Sequence, residues 1–107
     1  MKRGDIHWAC LDPVQGSEMS KTRPCVIVSR DELNELLPTV VVCPLTTVVR
    51  PRWRTRLQVR CAGRKADICA DQIRTMSKQR LGDRVGSLTK AEATRLRSLL
   101  SEMYGAS

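Results

Sequence analysis

Thr39-Val40-Val41-Val42-Cys43-Pro44-Leu45-Thr46-Thr47 is the stretch on which the fold turns. Val40, Val41 and Val42 are β-branched, stiff at χ1, and suited to a pleated surface rather than a helix. Thr39–Cys43 therefore reads as the strongest strand of the chain. Pro44 brings no N–H to a ladder, so it sets the end of that strand at or near a sheet edge or bulge. Upstream, Ser29 and Glu32 have capping-box spacing and predict a short helix over Arg30–Leu37 that stops at Pro38. Before it, Cys25-Val26-Ile27-Val28 within Pro24–Ser29 reads as a buried strand. Gly16–Thr22 is a polar loop. Asp5–Leu11 is a first strand, ended by Asp12-Pro13.

Downstream, Thr55–Arg60 alternates, which sends Leu57 and Val59 inward and Arg56, Gln58 and Arg60 to water. Ala62–Lys65 reads as a turn, Ala66–Arg74 as a strand, and Gly82–Leu88 as a short strand around Val85. Thr89 and Glu92 form a second capping box. Leu96, Leu99, Leu100 and Met103 then recur at i, i+3, i+4, i+7, so Lys90–Tyr104 is an amphipathic helix that stops at Gly105. Six short strands followed by a terminal helix point to a mainly β fold with α. It is a small antiparallel barrel or curled sheet covered by the last helix.

At 107 residues, 1–107 is read as a single domain, and 41% hydrophobic content argues against a disordered chain. The longest uncharged stretch, Leu36–Val49, falls short of the ~20 apolar residues of a spanning helix and is broken by two prolines. Met1–Asp5 lacks an apolar signal region. A cytoplasmic protein without membrane association is expected. The five cysteines form no C-x-x-C pair and the only histidine is His7, so no zinc site is expected. The cysteines read as small buried hydrophobes in a reducing compartment.

The net charge of +8 is uneven. Residues 47–65 carry seven basic side chains and no acid, whereas residues 1–46 carry five basic and six acidic ones. Arg50, Arg52, Arg54 and Arg56 flank Trp53. Guanidinium forks suit phosphates, and an indole offers a face to an unstacked base. The segment thus reads either as a nucleic-acid footprint or as a solvated charged loop. Polar residues also gather at strand ends: Ser17, Glu18 and Arg23 around the first long loop, Thr46 and Thr47 after the Val-rich strand, and Asp71, Gln72 and Arg74 farther on.

Six motifs appear in order: Arg3-Gly4-Asp5-Ile6, Leu11-Asp12-Pro13, Gly16-Ser17-Glu18, Thr22-Arg23-Pro24, Cys43-Pro44-Leu45-Thr46-Thr47 and Asp71-Gln72-Ile73-Arg74-Thr75. Their order and spacing, over about residues 3–103, closely resemble the MazF/PemK toxin family, the ribonuclease half of toxin–antitoxin pairs. The resemblance implies an SH3-like curled barrel of the PemK/CcdB kind with a C-terminal helix. It also implies a homodimer, metal-independent and sequence-specific cleavage of single-stranded RNA without a cofactor, and a cognate acidic antitoxin as partner. It carries the family's catalytic Arg to Arg23 and its Thr to Thr46, with Glu18, ranked slightly above Asp71, as the base. Ser17, Thr47, Arg50, Arg52, Trp53, Arg54 and Gln72 are expected to bind RNA. Two positions depart from the pattern of some members: Ser17 stands where they carry a His, and Cys69 where they carry a second Arg. Two other readings stay open from the sequence. One is a non-catalytic toxin of the same fold that binds a protein such as DNA gyrase; the other is a plain RNA-binding barrel module. The nuclease reading requires Arg23 and Thr46 to converge on a single phosphodiester.

Overall fold

Strand β3 (Thr39–Thr46) is the axis of the sheet. A computed structural model describes residues 1–11 and 22–105. The remaining strands are β1 (Asp5–Cys10), β2 (Thr22–Ile27), β4 (Arg56–Cys61), β5 (Arg64–Cys69), β6 (Arg74–Ser77) and β7 (Leu81–Ser87). Helix α1 (Asp31–Leu36) precedes β3 and helix α2 (Lys90–Tyr104) closes the described chain. The strand order is β4-β5-β3-β2-β1-β7, and β6 pairs with the first half of β3. Every pairing is antiparallel. The architecture is a curled, antiparallel half-barrel with a C-terminal helix, as the sequence predicts.

One edge of β3 serves two partners. Thr39–Val42 pair with β6, and Leu45 and Thr46 pair with Ile68 and Asp67 of β5. The expected single strand over Ala66–Arg74 is therefore two strands. A 3-10 turn at Ala70–Gln72 carries the chain from one half of the curled sheet to the other. That raises the strand count among the described residues to seven. Pro44 is also inside β3 rather than beyond its end, opposite Cys25 of β2.

The apolar run in β3 does not alternate because both faces are buried. One face joins Ile6, Val26, Cys43, Leu45, Val59, Ala66 and Ile68 under Leu96 of α2. The other joins Ala9, Leu11, Cys25, Ile27, Val40, Val42 and Met76. Each such side chain contributes on the order of 1.5–3 kcal/mol on burial.

The two helices treat their caps differently. In α2 both halves of the capping box form: the Thr89 Oγ1 accepts from Glu92 N–H, and Glu92 Oε1 accepts from Thr89 N–H. In α1 the expected box is absent and Arg30 occupies the cap without a side-chain bond. The Ser29 hydroxyl is occupied elsewhere, donating to buried Asn34 and accepting from Val41 N–H of β3 at 3.0 Å. The β4–β5 hairpin turns on Ala62 and Gly63, with φ of +52° and +78°. Positive φ at both positions is the type I′ geometry that matches sheet twist. No helix among the described residues is long and apolar enough to cross a membrane.

Candidate active site

Pro24 stands where the β2–β3 ladder ends, on the set of β2 residues that turns towards β3, and a proline has no N–H with which to extend it. The last paired residues are Cys25 and Pro44. Carried two places further, the same register sets Arg23 across from Thr46. There β3 has already turned to pair with β5, so the strands part and a cleft of about 450 Å³ opens. Arg23, Pro24, Leu45, Thr46 and Thr47 line it from β2 and β3. Trp8 of β1 and Val85 of β7 form another side, and Cys61, Ala62 and Arg64 of the hairpin close it.

Three candidate residues, Arg23, Thr46 and Thr47, thus meet in this cleft, and the bonding of Arg23 and Thr46 leaves both available. The Arg23 side chain makes no hydrogen bond or ion pair with any described residue. The Thr46 Oγ1 accepts from Val48 N–H at 3.2 Å, which leaves its own O–H to donate. Arg23 also sends its field inward. Burial pushes the thiols of Cys25 and Cys43 up to about 12, and for Cys25 the charges of Arg74 and then Arg23 oppose that rise. Cys69, at the position where some relatives carry a second Arg, is buried and supplies no cation. Its thiol too is raised, first by burial, with the nearby carboxylates of Asp71 and Asp67 adding to the rise.

The remaining candidates lie elsewhere. Asp71 is the middle residue of the Ala70–Gln72 turn, with its Oδ1 3.5 Å from Arg56 Nε. Gln72 is exposed on the same turn. Arg50, Arg52, Trp53 and Arg54 are exposed on the loop between β3 and β4, where Arg54 pairs with Glu102 of α2 at 3.1 Å. Ser17 and Glu18 lie outside the described residues. Among the described residues, no three His, Cys, Asp or Glu side chains come together as metal ligands.

Alternation misses two charged residues beside this loop. Arg56, expected to face water, has a side chain only 8% exposed. It sits 3.6 Å from Asp67, which is fully buried, and its guanidinium lies 4.7 Å from the centre of the Trp53 ring. The available signal was Asp67 itself, the one acid in the otherwise apolar stretch Ala66–Ala70. His7 is likewise buried, with Nδ1 3.0 Å from the Gly82 carbonyl oxygen.

Comparison with known proteins places these features in a family. Residues 2–104 match the model for the PemK-like, MazF-like toxin of type II toxin–antitoxin systems. Endoribonuclease MazF from Staphylococcus saprophyticus is 37% identical over 94 residues, covering 83% of this chain and 78% of that protein. Among solved structures, the Mycobacterium tuberculosis toxin MazF-mt6 superposes with a TM-score of 0.80 at 25% identity, over 96% of this chain and 98% of that one. An endoribonuclease in complex with its cognate antitoxin, from a mycobacterial species, gives 0.81 at 26% identity, over 100% and 97% of the two chains. The chain belongs to the PemK-like, MazF-like toxins of type II toxin–antitoxin systems, and its enzyme class is endoribonuclease.

Proposed function

We propose that this toxin cuts single-stranded RNA at specific sequences, without a metal ion, through attack of a ribose 2′-OH on the adjacent phosphate. The 2′-oxygen bonds to phosphorus as the bond to the 5′-oxygen breaks. The products are a 2′,3′-cyclic phosphate and a 5′-OH. The 2′-OH proton passes to a base, the 5′-oxygen takes a proton from a solvent water, and the protonated base returns its proton to the hydroxide so formed, so atoms and charge balance. Arg23 offsets the charge of the crowded phosphorane through two parallel N–H bonds, and Thr46 donates to the same phosphate. Arginine stays protonated at working pH, so Arg23 acts by charge rather than as a proton donor. Glu18 takes the 2′-OH proton, with Asp71 as the second choice because its carboxylate is engaged by Arg56. Ser17, Thr47, Arg50, Arg52, Trp53, Arg54 and Gln72 hold the strand, which must be unpaired for its bases to be read.

The observation that carries this reading is the shared cleft of an unpaired guanidinium, Arg23, and a hydroxyl, Thr46, with a free hydrogen. The protein works in the cytoplasm as a homodimer and is silenced by a cognate acidic antitoxin. The test is incubation of purified protein with mixed-sequence single-stranded RNA in EDTA, with mapping of the new ends. Cleavage to 5′-OH ends at a recurrent sequence supports the proposal. Binding without cleavage favours an RNA-binding module, and no interaction with RNA favours a protein target. Light scattering at micromolar concentration reads the dimer; a 12.0 kDa species alone removes it.

A further inference from the structure

Between β3 and β4 the chain makes two successive turns: Trp53 N–H donates to the Arg50 carbonyl at 3.1 Å, and Arg56 N–H to the Trp53 carbonyl at 3.3 Å. Both ends of this loop reach one buried carboxylate. Asp67 Oδ2 accepts from the Arg50 backbone N–H at 2.7 Å and lies 3.6 Å from Arg56 Nη1. Asp67 Oδ1 accepts from the Gln58 side-chain amide at 2.9 Å. Asp67 is 0% exposed and stands opposite Thr46 in the β3–β5 pairing. One residue thus ties the loop's first turn, the loop's last residue and the strand position beside the candidate catalytic hydroxyl.

Stability alone is a poor account of this arrangement. Buried ion pairs seldom exceed apolar replacements in stability. Here Arg56 Nε has no hydrogen-bond partner among the described residues, which adds a cost. What the pair does supply is geometry. Arg56 is wedged between Asp67, Asp71 and the Trp53 ring, so the indole rests on a guanidinium that cannot turn away. Trp53 is nevertheless 49% exposed, and Arg50, whose guanidinium reaches the ring at 5.6 Å, is itself exposed. A half-exposed aromatic ring held by the fixed Arg56, with only the exposed and more distant Arg50 as its other charged neighbour, suits the stacking of one unpaired nucleobase.

We infer that Asp67 and Arg56 are positioning residues that hold Trp53 as a stacking platform for a single unpaired base of the RNA strand, at a fixed offset from the phosphate bound by Arg23 and Thr46. The inference deepens the nuclease reading and rests on it. Base selection at that offset therefore depends on two side chains that touch no RNA. Their effect falls on substrate binding and on one nucleotide, and the chemical step is left to the cleft.

The test is cleavage by the full chain of a single-stranded oligoribonucleotide carrying one abasic nucleotide at each flanking position in turn. For wild type, one abasic position is expected to raise KM about tenfold, the loss of one stacked base. Trp53→Ala, Asp67→Asn and Arg56→Gln should each raise KM on the intact strand by a similar factor and leave kcat within about twofold. They should also abolish the penalty at that one position and no other. The Trp53→Ala/Arg56→Gln double variant should be no worse than either single one, because the platform is lost once. Circular dichroism melts check each fold, and Arg56→Gln carries the test if Asp67 variants unfold. Wild-type KM and an undiminished abasic penalty in Arg56→Gln overturn the inference while leaving the nuclease reading intact. Absence of cleavage by wild type overturns that reading instead. Binding then decides the platform: in a Trp8→Phe protein, whose only indole is Trp53 and whose complex with a single-stranded RNA is verified by filter retention because Trp8 lines the cleft, fluorescence should fall on binding; unchanged emission in the complex, or no retention of RNA by the wild type, refutes it.

Discussion

Replacement of Arg23 by Ala separates the chemistry from the fold more cleanly than any other change in the cleft. The Arg23 side chain makes no ion pair or hydrogen bond among the described residues, so its loss should shift stability by no more than about 0.5 kcal/mol. In the reaction it is assigned two charge-assisted bonds to one phosphate. At about 1.5–3 kcal/mol each, those amount to roughly 3–6 kcal/mol of transition-state stabilisation. With a factor of ten per ~1.4 kcal/mol, kcat/KM should fall by about 10²–10⁴. Arg23→Lys keeps the charge but not the fork, and should fall between wild type and Ala. Thr46→Val removes one donor and also the acceptor for Val48 N–H, so it should lose rate and about 1 kcal/mol of stability together. The assay is single-turnover cleavage of a doubly labelled oligoribonucleotide beside a thermal melt. Arg23→Ala cutting within threefold of wild type would refute the assignment. So would an inactive variant whose melting point has collapsed, since the side chain would then be structural.

Three further outcomes follow from other parts of the molecule. Ala62 holds a left-handed conformation that costs a non-glycine residue about 1 kcal/mol, so Ala62→Asn should raise the melting temperature by several degrees; an unchanged or lower one counts against the turn. The thiols of Cys25 and Cys43 titrate near 12 when folded, against 9.0 as the ordinary value, so above pH 9 the unfolded chain releases protons that the folded one keeps. Stability, measured by urea melts, should be constant below pH 9 with respect to these groups and decline towards pH 12, and a thiol reagent at pH 8 should reach neither cysteine without unfolding. Affinity for the cognate antitoxin should weaken as salt rises, because the cationic loop screens readily; calorimetry showing a salt-independent affinity would remove the electrostatic account.

What the sequence disclosed, and what it hid, divides by the range of the interaction. The α2 helix was legible to the residue because its signals are local: a capping box at Thr89 and Glu92, and leucines at helical spacing. The Val-rich β3 was legible for the same reason. The split of Ala66–Arg74 into two strands was not, because its cause is the curl of β3, which passes from one partner to another. Ser29 shows the same limit: its capping-box spacing is real, but Asn34 and Val41 compete for the hydroxyl and win. At the site, family motifs pointed to Arg23 and Thr46, and the register brings them to one cleft. Alternation read Arg56 as solvent-facing because a buried arginine is rare without an acid, and its acid, Asp67, comes from the neighbouring strand.

Pro24, at the mouth of the cleft, carries a consequence for how the cleft can change. Parting two strands normally strands backbone donors, and stranded donors pull the gap shut or fill it with solvent. Pro24 removes one such donor in advance, because the even residues of β2 turn their backbone groups towards β3, as Val28 N–H does to the Val41 carbonyl, so the opening is quiet: fewer groups there crave a neighbour. At this rung even a small residue with an amide hydrogen restores a zipper tooth, and with it a tendency for the jaws to close on an empty mouth.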